Sequence, residues 1–178
     1  MNSKRAFAKI ELIVASPLTR ALTTSDIILK GVVSDEVAKI AQPLAREWLF
    51  LSSDVGRTRA VLEKEFPRWN FDELPETDWW YTPSDLDPKP LEFDFRGNTQ
   101  ELYGYSGEPT DVFVERIIAL RNWLQARTET TIAVVAHFGV LRALTGKNFE
   151  NAEIYECDPN SLLDDQGIKR NADDIADY

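Results

Sequence analysis

One histidine and one arginine stand in this chain where a sheet edge would present them to an anion. His137 is the only histidine in the sequence. It follows the apolar, β-branched run Ile132-Ala133-Val134-Val135-Ala136 and is followed, two residues on, by Gly139. Such a run predicts a buried strand in a parallel sheet. Val140, Leu141, Ala143 and Leu144 then fall at helical spacing, so His137 is expected at a strand-to-helix junction. In open α/β sheets, ligands bind outside the carboxyl ends of the strands. The free N–H groups of the helix that follows favour an anion at the same edge. Arg20 belongs to a second stretch of the same kind: a strand over 12–15, a turn at Ser16-Pro17, then Leu18, Ala21 and Leu22 at helical spacing. Ser16 suits the N-cap and Pro17 the first helical turn. A guanidinium fork in that turn matches a phosphate group. Each residue also has a plain structural reading, as a histidine bonded to a backbone carbonyl and as a solvated helix arginine.

The remaining elements must hold these two stretches in one domain, expected over residues 1–156. Residues 1–10 form the tail of a helix, with Ala6, Phe7 and Ile10 at helical spacing. A helix over 17–30 is expected to turn Leu18, Leu22, Ile27 and Ile28 inward and to stop at Gly31. Residues 32–40 are ambiguous in pattern, with Val32-Val33 a candidate edge strand. Residues 58–66 form a helix with Val61, Leu62 and Phe66 along one side. Residues 67–107 read as an irregular insertion: Pro67, Pro75, Pro83, Pro88 and Pro90 interrupt it, and it carries Trp69, Trp79 and Trp80. Long ordered loops often cover active sites. The tryptophans fit a minor core pinning this loop better than a ligand cage. A helix over 111–127 places Val112, Ile117, Ala119, Leu120 and Leu124 at its apolar positions, with Thr110 or Asp111 as cap. Gly146 ends the helix after His137, and 151–156 reads as a last strand. Residues 157–178 are a polar, acidic tail, expected to fray from 158 onward.

Composition narrows the function. A chain of 178 residues with 43% hydrophobic content and five tryptophans has enough material for one folded core. A formal net charge of −10 argues against a general nucleic-acid binder, so a phosphate site must be a local basic patch. A single cysteine, Cys157, rules out an internal disulfide and suits a reducing compartment. One histidine and one cysteine do not make a structural zinc site, and no metal is expected. No stretch has the length of a signal-peptide core or of a membrane span, which points to a cytoplasmic protein without a membrane partner. A targeting segment upstream remains open.

Taken together the two stretches resemble the histidine phosphatase superfamily, the phosphoglycerate mutase-like proteins. Ser16-Pro17-Leu18-Thr19-Arg20-Ala21-Leu22-Thr23-Thr24 looks like that family's second block. Val134-Val135-Ala136-His137-Phe138-Gly139-Val140-Leu141-Arg142-Ala143-Leu144 looks like its last, where the family usually has glycine in place of Phe138. Ala45-Arg46-Glu47-Trp48 with Asp54-Val55-Gly56-Arg57 resembles the block that carries the family's acid. Trp79-Trp80 and Gly107-Glu108-Pro109 with Val114-Glu115-Arg116 resemble blocks of its eukaryotic and plant-like members. The blocks run in family order from Glu11 to Leu144.

The resemblance implies a three-layer α/β/α fold with a mostly parallel sheet, and a reaction on phosphate esters that needs no cofactor. It casts Arg20 and His137 as phosphate-binding, charge-holding residues and Glu47 as the proton donor. Read from its residue type alone, Glu47 is a surface carboxylate. The family's nucleophile is the histidine of an Arg-His-Gly block, and no Arg-His-Gly occurs in this sequence. The chain is therefore expected to have lost an N-terminal strand and to be inactive as it stands. Without that strand, Ile132 to Val135 would lack a neighbour and the fold would be marginally stable. Two readings stay open. One is a phosphatase or mutase-like enzyme whose full form carries the nucleophile. The other is a non-catalytic member that binds a phosphorylated ligand or a protein partner. The partner expected is a small phosphorylated substrate or phosphate itself; oligomeric state is not legible.

Overall fold

A computed structural model describes residues 9–76, 78–83, 104 and 107–176. The expected helix tail over 1–10 and most of the second half of the insertion lie outside the described residues. The chain divides into two compact units, Met1–Arg46, Gly56–Trp79 and Thr128–Ala136 in the first, and Glu47–Val55, Trp80–Arg127 and His137–Tyr178 in the second.

The first unit is built on a parallel three-stranded sheet. Its strands are β1 (Leu12–Ala15), β2 (Ala38–Ala41) and β3 (Ile132–Val135), in the order β2-β1-β3. All four residues of β1 are buried, as an uninterrupted apolar run predicts for a central strand. The register is unslipped: Leu12 lies opposite Ala38 and Ile132, and Ala15 opposite Ala41 and Val135. Ser16 N–H donates to the Val135 carbonyl at 3.0 Å, so the β1–β3 ladder continues past the strand ends. Beyond β2, Asn70 completes the edge by donating to Lys39 O at 2.8 Å and accepting from Ala41 N at 2.9 Å. On its far side β3 has no strand partner among the described residues, and its four residues are half-buried.

Helix α1 (Thr19–Leu29) crosses from β1 to β2, as parallel pairing requires. Its buried stripe is Ala21, Leu22, Ser25 and Leu29, with Leu18 just ahead of it. The expected inward Ile27 and Ile28 are instead 69% and 42% exposed; Ile27 falls outside the i, i+3/4 rows of that stripe, whereas Ile28 lies three residues beyond Ser25 and is exposed all the same. Gly31 ends the helix in the left-handed region at φ 72°. Val32 and Val33 are not a strand. Both N–H groups donate to Leu29 O, which folds them onto the helix end, and the strand forms later, at Ala38–Ala41.

Helix α2 (Arg59–Glu65) buries Leu62, while Val61 faces out. Trp69, Phe71, Leu74 and Trp79 are buried beyond it, so the two tryptophans belong to a minor core as expected. Trp79 donates from Nε1 to Arg57 O at 2.8 Å, and a Cβ at Gly56 would stand 2.2 Å from its ring. Only glycine permits that approach.

In the second unit, α3 (Thr110–Gln125) buries Phe113, Arg116, Ile117, Leu120 and Leu124. Val112 and Ala119 lie off that stripe, and Pro109 precedes the first turn without a side-chain cap. Helix α4 (Phe138–Thr145) ends at Gly146, φ 73°, as expected. The expected strand over 151–156 is a turn followed by irregular, exposed chain with no ladder partner among the described residues. The expected fraying beyond 158 is also corrected. Residues Asp165–Ala176 form α5, which buries Gly167, Ile168 and Ala172 and packs on α3 and α4. Asp164 accepts Gly167 N at 2.7 Å at its start, and Arg121 of α3 pairs with Asp165 at 2.7 Å. Among the described residues no helix is long and apolar enough to cross a membrane.

Candidate functional site

In the first unit, β1 and β3 end at the same sheet edge because they are parallel and in register. From β1 the chain leaves through Ser16, which is fully buried. Its Oγ accepts Leu18 N at 3.2 Å. This is a serine turn and not the expected N-cap; Leu18 occupies the cap position, and α1 begins at Thr19. Arg20 is therefore in the first turn of α1, with an exposed side chain.

From β3 the chain passes through Ala136 into the second unit at His137. His137 is the N-cap residue of α4, in extended conformation at φ −124° and ψ 164°. Its carbonyl accepts Leu141 N at 2.9 Å and so closes the first helical turn. The imidazole is buried, with the residue 9% exposed. Phe138, where the resemblance calls for glycine, is 45% exposed, and the Arg142 guanidinium lies 5.9 Å from its ring centroid. The extra bulk thus faces outward.

Glu47 is half-buried in the same unit. Its Oε1 accepts the Trp48 N–H at 2.9 Å. A Cβ at Gly139 would stand 2.7 Å from that oxygen. Gly139 therefore makes room for the carboxylate against the first turn of the helix that His137 heads. A negative group is favoured at that end of a helix. The structure brings Glu47 and the His137 helix together; Arg20 belongs to the other unit.

Behind Glu47 lies a cluster that its residue types did not single out. Arg116 donates from Nε and Nη2 to the two Glu108 carboxylate oxygens at 3.0 and 2.7 Å, and both side chains are almost fully buried. Arg116 Nη2 also lies 3.5 Å from the Glu47 carbonyl oxygen. The Trp48 indole donates to Glu108 O at 2.8 Å and stacks on Phe113 with centroids 4.1 Å apart. The available signal was the block resemblance of Gly107-Glu108-Pro109 and Arg116, which said nothing of their pairing.

Cys157 is exposed. Desolvation by its neighbours pushes the thiol pKa up, away from thiolate formation at neutral pH. Among the described residues no group of three histidine, cysteine or acidic side chains is placed to hold a metal ion.

The family model of the histidine phosphatase superfamily (branch 1) matches residues 3–162. The chain belongs to that superfamily. No curated protein and no solved structure matches it. A small α/β fold with a parallel sheet agrees with membership, and membership supports a phosphatase or mutase-like function.

Proposed function

We propose that the chain binds phosphate esters, with His137 and Arg20 as phosphate-binding residues and Glu47 as the proton donor. The observation that carries this reading is the placement of the Glu47 carboxylate against the first turn of the helix headed by His137. Phosphoryl transfer depends mostly on positioning and charge stabilisation. A guanidinium and an imidazole supply donors for the equatorial oxygens. A carboxyl group next to a phosphoester has its proton retained by the phosphate's negative charge, which suits it to protonate the departing oxygen.

The attacking atom is the remaining question. The family route uses a second imidazole, and this sequence has one. A histidine that holds equatorial oxygens is not in line for attack. The 178-residue chain is therefore proposed to bind the phosphoryl group without forming phosphohistidine. That favours the non-catalytic reading for this chain by itself.

The purified chain is expected to hydrolyse a generic aryl phosphate no faster than buffer, while vanadate or phosphate still binds weakly. Arg20→Ala and His137→Ala should each weaken that binding by about 10–100-fold, the range of one hydrogen bond to a charged group. Calorimetry or a vanadate titration reads it. Robust turnover by this chain, abolished in His137→Ala, would mean that His137 is itself the nucleophile. Binding left intact by both substitutions would remove the proposed site.

A further inference from the structure

We propose that Arg116, locked to Glu108, is a positioning residue that fixes where the Glu47 carboxyl stands. The inference rests on the reading of Glu47 as the proton donor. Its structural half can be tested without that reading.

A half-buried carboxylate on an irregular segment needs its backbone held from outside. Three contacts do so here, and all involve Glu108 or its partner. Arg116 Nη2 reaches the Glu47 carbonyl at 3.5 Å. The Trp48 indole donates to Glu108 O at 2.8 Å. Glu108 N–H donates to Leu49 O at 2.9 Å. Residues 47, 48 and 49 are thus tied to Arg116 or Glu108, the first through the guanidinium and the other two through the Glu108 backbone. Phe113, one turn before Arg116 on α3, stacks on Trp48 and lies 5.0 Å from the Arg116 guanidinium. The reference for the whole arrangement is a 16-residue helix with a buried face.

The chemistry of the pair matters. A two-pronged guanidinium–carboxylate contact fixes orientation as well as distance. Nη2, one of the two prongs, also lies 3.5 Å from the Glu47 carbonyl oxygen. A lysine at this position would keep the charge and lose the fork. Buried ion pairs add little net stability over well-packed apolar residues, and their best-attested use is to specify one geometry. Here that geometry ends at Glu47, whose Oε1 lies against Gly139.

The test follows the Gly139 amide by NMR in labelled full-length chain. Ionisation of Glu47 should move the Gly139 amide signal with pH, and Glu47→Gln should abolish that movement. In the double variant Arg116→Met/Glu108→Met, which removes both buried charges together, the movement should shrink by about half or more, because the fork that set the geometry is gone. Thermal unfolding should remain cooperative. An unchanged Gly139 response in a cooperatively folded double variant overturns the proposal. If the double variant does not fold, Arg116→Lys decides: a reduced response supports positioning, an unchanged one overturns it. Glu47 as proton donor is judged separately, by vanadate binding in Glu47→Gln. If its pH dependence matches the parent chain, the donor reading fails while the Gly139 result stands.

Discussion

Replacing Gly107 with alanine is expected to destabilise the protein by about 2–6 kcal/mol, from backbone strain and overpacking acting together. Gly107 has φ 96°, a conformation that side chains with a Cβ rarely adopt. A Cβ there would stand 2.2 Å from the Leu49 carbonyl oxygen. That oxygen cannot withdraw freely, because it accepts the Glu108 N–H at 2.9 Å. Relief therefore requires the 107–109 segment to leave the 47–49 segment, which breaks the hydrogen bond and strains the Trp48 indole contact with Glu108 O. Gly104 provides the control. It also has positive φ, 84°, but nothing lies within 4 Å of its would-be Cβ. Gly104→Ala should show the strain alone, about 1–3 kcal/mol. Urea unfolding of both variants measures the difference. Equal midpoints would mean that the close approach of Leu49 to Gly107 does not exist in solution.

What the sequence showed and hid follows from how locally each feature is encoded. β1 and β3 were legible because each is an apolar run bounded by turn residues. Gly31 and Gly146 were legible as helix stops because the left-handed region is cheap only for glycine. β2 was not, since Ala38-Lys39-Ile40-Ala41 has little strand character. Its place comes from pairing with β1 and from the Asn70 bridge, which are tertiary facts. Val32-Val33 looked better by propensity and lost to the hydrogen bonds that close the helix end. On α1 and α3 the expected apolar face holds at Leu18, Leu22, Ile117, Leu120 and Leu124 and fails at Ile27 and Ala119, which are apolar by type, because what buries a position is the neighbour opposite it.

The candidate site divides along similar lines. Strand-to-helix junctions put Arg20 and His137 in view, because turn chemistry is local. Glu47 was visible only through family resemblance. A carboxylate after Ala45-Arg46 has no local mark of function; its setting depends on Gly139, ninety-two positions further along the chain. Arg116 was harder still. A charged residue on a helix reads as solvated, and only the fold reveals that it faces inward against Glu108.

Ile168→Ala should cost about 2–5 kcal/mol, the range for truncating a fully buried aliphatic side chain. The substitution tests the element that the sequence described least well. Residues 157–178 are polar enough to be expected as a loose tail, yet Ile168 is fully buried and Ala172, one turn on, is buried with it. Those two positions are a narrow apolar stripe, sufficient once α3 and α4 supply the opposing surface. Gly167 keeps the approach close: a Cβ there would lie 3.1 Å from Leu163, whose N–H donates to Leu144 O at 2.9 Å. Arg121 adds a donor to Leu163 O at 3.1 Å. The start of α5 is thus tied to the end of α4 and the middle of α3 by backbone as well as side-chain contacts. Lys169 is exposed on the same helix, so Lys169→Ala should change stability by no more than about 0.5 kcal/mol. The comparison separates packing from helix propensity, because both changes install alanine in adjacent positions. If α5 were a frayed tail, Ile168→Ala and Lys169→Ala would give the same urea midpoint within error. A large loss confined to Ile168→Ala shows that this helix carries part of the core it shares with α3 and α4.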